Sequence, residues 1–252
     1  MRVMVCVKQI PDPASPYELD PESHFLQRPT DQVLDDTDRY GVEMGLMIAE
    51  QTEGTVTLVS MGPAGNLQGI RQALAMGADK AVVVDDPGLR GADSLTTARI
   101  LSEAVGREGF DVVIAGTEST DGYSGVVPQQ MAEFLQAPAL TFAKKVELDG
   151  TTIRIERQTE YGYDIVESSA PAVITVTAGV VEPRYPTFKG IMAAKGKPID
   201  QITAADLGVT VSAGQEIVAV RPAPERAAGE IVEDDGEAHL RIVQLLEQVK
   251  VI

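Results

Sequence analysis

The chain has 252 residues, 44 % of them hydrophobic, which suffices for one large domain or a domain with a long extension. Its 38 acidic residues outnumber 21 basic ones, and the formal charge of −17 argues against nucleic acid as a partner, since such binding needs basic surface. A single cysteine, Cys6, with only His24 and His239 beside it, excludes an internal disulfide and the common cysteine–histidine zinc sites, and leaves little for thiol or imidazole catalysis.

Residues 2–7 read as a buried strand, continuous and rich in β-branched side chains, of the kind found in covered parallel sheets. Cys6 inside that run reads as a buried structural thiol. Polar Lys8 and Gln9 end the run, so no signal peptide is expected. No apolar stretch approaches the roughly 20 residues of a membrane span. The expectation is a cytoplasmic chain that does not itself span a membrane. Four prolines follow between Pro11 and Pro21, then a loop to about Thr30. Asp35, Asp36 and Thr37 are expected to cap a helix over 38–50.

A second strand is predicted over 55–60, ended by Met61, Gly62 and Pro63, and a helix over 66–76 stops at Gly77. A third strand covers 80–84. A helix over 94–105 is expected to take Ser94 as its cap. A fourth strand covers 111–115 and ends at Gly116, and a helix over 128–135 follows a long turn. The acidic pairs Asp35–Asp36 and Asp85–Asp86 read as caps and turns rather than as a Mg²⁺ site. Strand and helix alternate throughout, which predicts a doubly wound, mostly parallel α/β sheet. Ligands in such sheets bind beyond the carboxyl ends of the strands, which nominates the loops 8–12, 60–66 and 116–128.

After Leu140 the pattern changes. Segments 144–148 and 153–157 flank Asp149-Gly150, a hairpin signal, and 173–176 reads as one more core strand. Residues 182–228 read as an extended arm with small helical pieces, and 230–237 as an acidic loop. A final helix over 239–249 aligns Leu240, Val243, Leu246 and Val249 on one side, with self-packing the default reading and a partner the other.

The segment Gly116-Thr-Glu-Ser-Thr-Asp-Gly-Tyr-Ser-Gly125 carries most of the chemistry. Its glycines let the backbone approach a ligand, and free N–H groups at the start of the next helix would favour a phosphate. Ser119, Thr120 and Ser124 add hydroxyls. The segment matches neither a Walker loop nor a dinucleotide fingerprint, so an ordinary polar loop is an equal reading on local grounds. Gly62 would suit an adenine or ribose edge, although a tight turn is the commoner reason for Gly-Pro.

Several ordered motifs resemble one family. Ala73-Leu74-Ala75-Met76-Gly77-Ala78-Asp79 is similar to a helix end of electron transfer flavoprotein beta (small) subunits. Val181-Glu182-Pro183-Arg184-Tyr185-Pro186-Thr187 resembles their EPRY segment, and Ile191 to Ile199 and Asp206 to Val209 match runs that follow it in the same order. The resemblance implies a Rossmann-like, adenine-nucleotide-binding domain over 1–182, then a partner-recognition loop and C-terminal arm over 183–252 that contacts an alpha subunit. It implies AMP in this chain and FAD mainly on the alpha subunit. Electrons would arrive from acyl-CoA or related dehydrogenases and leave to a membrane quinone oxidoreductase. The chain would be an electron-carrier subunit without catalytic residues of its own, as in fatty acid beta-oxidation.

Carried over by position, the resemblance puts the phosphate at Asp121, Gly122, Tyr123, Ser124, Gly125, Val126 and Val127 and the adenosine near Val7, Asp38, Met61 and Gly62, and counts Gly116 among the cofactor-binding residues. It assigns partner docking to Asp164, Tyr185, Phe188, Ile191 and Met192, with Phe188 as the apolar anchor. The sequence departs from the family pattern at Val126-Val127, where a glutamine is usual, and lacks aromatics near Thr37 and Pro13. Bifurcating or nitrogen-fixation-type relatives carry a second FAD in the same site, and that alternative stays open. A reading from another class, a nucleotide-binding regulator like the universal stress proteins, does not account for residues 181–199.

Overall fold

The computed structural model describes residues 1–62, 65–211, 214–225, 229, 231–234 and 236–252. Pro63 and Ala64 of the expected adenosine-side turn, Ala228 at the end of the expected arm and Glu230 of the acidic loop lie outside the described residues. The chain forms two compact units, Met1–Ile217 and Val218–Ile252.

The first unit is a Rossmann-like, doubly wound α/β fold. Its strands and helices, in chain order, begin with β1 (Arg2–Cys6), β2 (Gln9–Ile10), β3 (Val33–Leu34), α1 (Asp38–Thr52), β4 (Thr55–Met61) and α2 (Gln68–Met76). They continue with β5 (Lys80–Val84), α3 (Ser94–Glu108), β6 (Val112–Gly116), α4 (Val127–Phe134), β7 (Ala139–Asp149), β8 (Thr152–Thr159), β9 (Gly162–Ser169) and β10 (Ala172–Val176). The helix α5 (Phe188–Ala194) and the strand β11 (Ile199–Ile202) complete the unit. The main sheet runs β11-β5-β4-β1-β6-β10-β7-β8-β9. Strands β11 through β7 are parallel neighbours, and β7, β8 and β9 form an antiparallel meander at one edge.

The alternation of β1 explains the layers. Val3 and Val5 project into the core shared with α1 and α2, and Met4 projects into the opposite core with α3 and α4. Both cores are largely aliphatic, with Leu58, Ile70, Ile100 and Ile114 fully buried. Burial of each such side chain stabilises the fold by about 1.5–3 kcal/mol relative to exposure.

The chain goes from β1 to β4 and β5 on one side, then returns to place β6 on the other. The reversal opens a crevice between the carboxyl ends of β1 and β6, where this class of sheet binds ligands. The short antiparallel pair β2–β3 closes the base of the proline-rich loop, so Asp35 N–H donates to the Lys8 carbonyl at 3.0 Å.

Several local expectations are corrected. The cap of α3 is Asp93, whose carboxylate accepts from Thr96 N–H at 2.7 Å, and not Ser94. Thr37 occupies the N-cap of α1 without a side-chain cap bond, and its hydroxyl instead donates to Asp35 at 2.9 Å. Residues 162–169 and 199–202 are strands. Each lies at a sheet edge with one neighbour, so neither needs the continuous apolar run that marks a central strand. In the second unit, helix α6 (Ala238–Gln248) has no buried residue.

Candidate functional site

A cavity of about 930 Å³ lies at the carboxyl ends of β1, β4, β5 and β6. Of the residues expected to hold the nucleotide, Val7, Asp38, Met61, Gly62, Gly116, Gly122, Ser124 and Val127 line it. Asp121, Tyr123, Gly125 and Val126 do not line it. The wall extends past the expected site to Arg90, Asp93, Ser94 and Thr97 at the start of α3.

The loop after β6 is fastened from below. Asp35 is fully buried, and one of its oxygens accepts from Thr37 N–H and Oγ1 at 3.1 and 2.9 Å. Its other oxygen accepts from Thr120 N–H at 2.7 Å and from Thr120 Oγ1 at 3.0 Å. One carboxylate thus ties the entrance of α1 to the loop. Its sequence neighbourhood suggested a helix cap; its partner is 85 residues away.

Asp121 turns inward. Its side chain is fully buried and pairs with Lys8 Nζ at 2.6 Å and with the Arg28 guanidinium. Burial alone would raise its carboxyl, but Lys8 and Arg28 more than offset that and hold it below the usual carboxylate value. Lys8 Nζ also donates to Ser119 Oγ at 3.2 Å, and Arg28 donates to the Gln9 carbonyl at 3.3 Å. This cluster clips the proline-rich loop and the end of β1 to the loop after β6. Lys8 lies in a loop that strand topology nominates. Nothing in the local sequence marks Arg28.

Asp38 is 7 % exposed and accepts from Lys8 N–H at 2.6 Å. Burial first, and then the nearby Asp35 carboxylate, raise its pKa well above the carboxylate range. Burial and Asp38 also push the Cys6 thiol up to about 12, so at neutral pH it stays protonated; against the expectation of a buried thiol, Cys6 is only partly buried and lines the cavity. Gly62 has φ of +143° with open space where a Cβ would stand, so its backbone conformation and not crowding calls for glycine.

The amides of the loop divide into two groups. Thr120 N–H is held by Asp35, and Gly122 and Tyr123 N–H donate to the Ser119 carbonyl at 3.3 and 2.9 Å. Among the described residues, the amides of Ser124, Gly125, Val126 and Val127 have no protein acceptor. Gly125 takes a φ of +64° just before the first turn of α4, which curls these amides into a run at a helix N-terminus. Successive unpaired amides at the positive end of a helix dipole are suited to an anionic oxygen.

The expected docking residues fall in two places. Tyr185 and Phe188 are 83 % and 80 % exposed, and Ile191 and Met192 stand exposed one turn further along α5. Asp164 sits on β9, opposite Arg157 of β8, at the other edge of the sheet from β11. These residues do not form one patch. Among the described residues, no helix is long and apolar enough to cross a membrane.

A family model described as electron transfer flavoprotein domain matches residues 24–207. The chain is 43 % identical to the electron transfer flavoprotein subunit beta of Mycobacterium bovis, with 99 % of each chain covered. It is 34 % identical over the whole of both chains to the protein of the same name from Thermoanaerobacterium thermosaccharolyticum. It is 32 % identical to the caffeyl-CoA reductase–Etf complex subunit CarD of Acetobacterium woodii, across 84 % of this chain and 82 % of that one. Over the whole of this α/β unit, with its cavity at the strand reversal, the chain therefore belongs to the electron transfer flavoprotein family, as a beta subunit.

Proposed function

We propose that this chain binds AMP structurally and works as one half of a heterodimer whose alpha subunit carries the electron-transferring FAD. The observation that supports the nucleotide most directly is the run of unpaired amides at Ser124–Val127 beside a cavity at the strand reversal. The amides and Ser124 Oγ would hold the phosphoryl group, with Lys8 supplying positive charge nearby. Val7, Met61 and Gly62 would receive the adenosine. The expected contacts at residues 121–123 are thereby narrowed, since Asp121 is paired with cations and the amides of Gly122 and Tyr123 are used within the loop.

The bound FAD of the partner supplies the redox chemistry. This chain supplies nucleotide-braced structure and a docking surface, with no bond-breaking step of its own. Donors would be acyl-CoA or related dehydrogenases, and the acceptor a membrane quinone oxidoreductase. The exposed apolar face of Tyr185, Phe188, Ile191 and Met192 supports a contact with the donor, because exposed aromatic anchors are frequent hot spots. Asp164 would make a separate polar contact.

A second reading gives this chain its own FAD, as in bifurcating relatives. The extension of the cavity beyond the adenylate site to Arg90–Thr97 favours it. Denaturing the purified heterodimer and identifying the released nucleotides separates the two. One AMP and one FAD per heterodimer are expected. Two FAD and no AMP would replace the first reading with the second, and no nucleotide beyond a single FAD would overturn both.

A further inference from the structure

We infer that Arg184, Gly190 and Arg71 are positioning residues that hold the docking helix α5 rigid in advance of its partner. The inference rests on the docking reading of Phe188 and its neighbours. It concerns why that surface is available at all.

Helix α5 has 7 residues, and an isolated helix of that length is unstable in water. Its outer face is also apolar and exposed, which gives the segment every reason to collapse onto the protein or to fluctuate. The structure holds it instead by tethers on both sides. Ahead of it, Arg184 donates from Nε and Nη2 to both oxygens of Glu43, with the shortest contacts at 2.8 Å, and its backbone N–H reaches the same carboxylate at 3.0 Å. Its Nη1 donates to Glu50 at 2.7 Å. Glu43 is 5 % exposed, so the guanidinium is seated on a buried anion of α1 and not on a solvated one. A planar fork bonded at this many points fixes direction as well as distance.

Within the helix, Thr187 caps the first turn by accepting from Gly190 N–H at 3.0 Å. A Cβ on Gly190 would stand 2.5 Å from the Ala75 carbonyl, so only glycine lets α5 lie this close to α2. Behind it, Arg71 of α2 donates to the Ala194 carbonyl at 2.9 Å, satisfying one of the open carbonyls at the helix end. None of these groups belongs to the exposed apolar face. Ordering a loop during association costs affinity, and a segment already held in its bound geometry avoids that cost.

The test uses the complete heterodimer with a soluble acyl-CoA dehydrogenase and its acyl-CoA as electron donor. Arg184→Gln and Gly190→Ala are compared with Phe188→Ala, each checked for unchanged nucleotide and flavin content. We expect Arg184→Gln and Gly190→Ala to raise the KM for the heterodimer about tenfold with kcat unchanged. Hydrogen exchange over residues 185–196 should rise in both. Phe188→Ala should raise KM without altering exchange. The Phe188→Ala/Arg184→Gln double variant should lose less than the sum of the two, because a loosened helix presents its anchor poorly. Faster exchange with an unchanged KM in both tether variants, while Phe188→Ala still raises KM, would overturn the positioning role and leave the docking surface standing. An unchanged KM in all three would remove the docking surface, and the positioning role with it.

Discussion

Asp38 and Asp121 sit within the same small region and are governed by opposite physics. Asp121 has two cations at hand, which outweigh its burial, so its folded pKa lies below its unfolded one. A depressed carboxyl contributes stability above the ordinary carboxylate pKa and loses it as pH falls through the folded value. Asp38 has burial and a neighbouring carboxylate, so its folded pKa is raised. Its contribution is fully present below the unfolded pKa and declines as pH climbs toward the folded value. Melting curves across pH should separate them. Asp38→Asn should flatten the decline above about pH 4, and Asp121→Asn the decline below it. Asp121→Asn should also lower stability at pH 7 by about 1–3 kcal/mol. This is less than for a sealed pair, because Lys8 and Arg28 keep 34 % and 25 % of their side-chain exposure. Identical pH profiles for wild type and both variants would contradict these assignments. At this scale the sequence was least legible. Asp35 reaches Thr120 across 85 residues, and Asp121 reaches Arg28 and Lys8 across 93 and 113, and only the folded sheet brings them together.

Elements were more legible, and the exceptions share a cause. Strands β1, β5 and β6 are buried and advertise themselves as continuous apolar runs, and β4 buries Thr57 and Ser60 among its apolar residues. Strands β9 and β11 are edges with exposed residues, and their patterns resemble ordinary loop sequence. The loop from β6 to α4 was recognisable as a candidate ligand loop by its place after a buried strand. Which of its amides are free was not, because that depends on the turn around Ser119. Gly122→Val tests the loop as an element. A Cβ there would stand 3.1 Å from Ser119 Oγ and 3.8 Å from Lys8 Nζ, so the branched side chain would displace the Lys8 cluster. AMP released on denaturation should fall well below one per heterodimer, and full occupancy would show the loop to be misassigned. Helix α6 offers a similar test. Leu240, Ile242, Val243 and Leu245 are all exposed. If the arm contacts the alpha subunit, Leu240→Ser with Val243→Ser should reduce copurification of the two chains while the Met1–Ile217 unit melts as before. Unaltered copurification would release α6 from that role.

The whole molecule joins a crevice at the centre of the sheet, the proposed nucleotide site, to the proposed docking helix near one edge and Asp164 at the other. The charge of −17 suits approach to a basic partner surface, and it predicts that electron transfer slows as ionic strength rises. Fold class and family were readable from alternation and from motifs spread between residues 73 and 209, since both are properties of order along the chain. The proposed role depends on where an adenylate's phosphoryl group meets the backbone. Amide hydrogen exchange on the heterodimer, stripped of nucleotide and then given AMP, measures this directly. Protection is expected to appear at the amides of residues 124–127, with those of Gly122 and Tyr123 already protected beforehand. Protection arising elsewhere on the chain with residues 124–127 unchanged would contradict it.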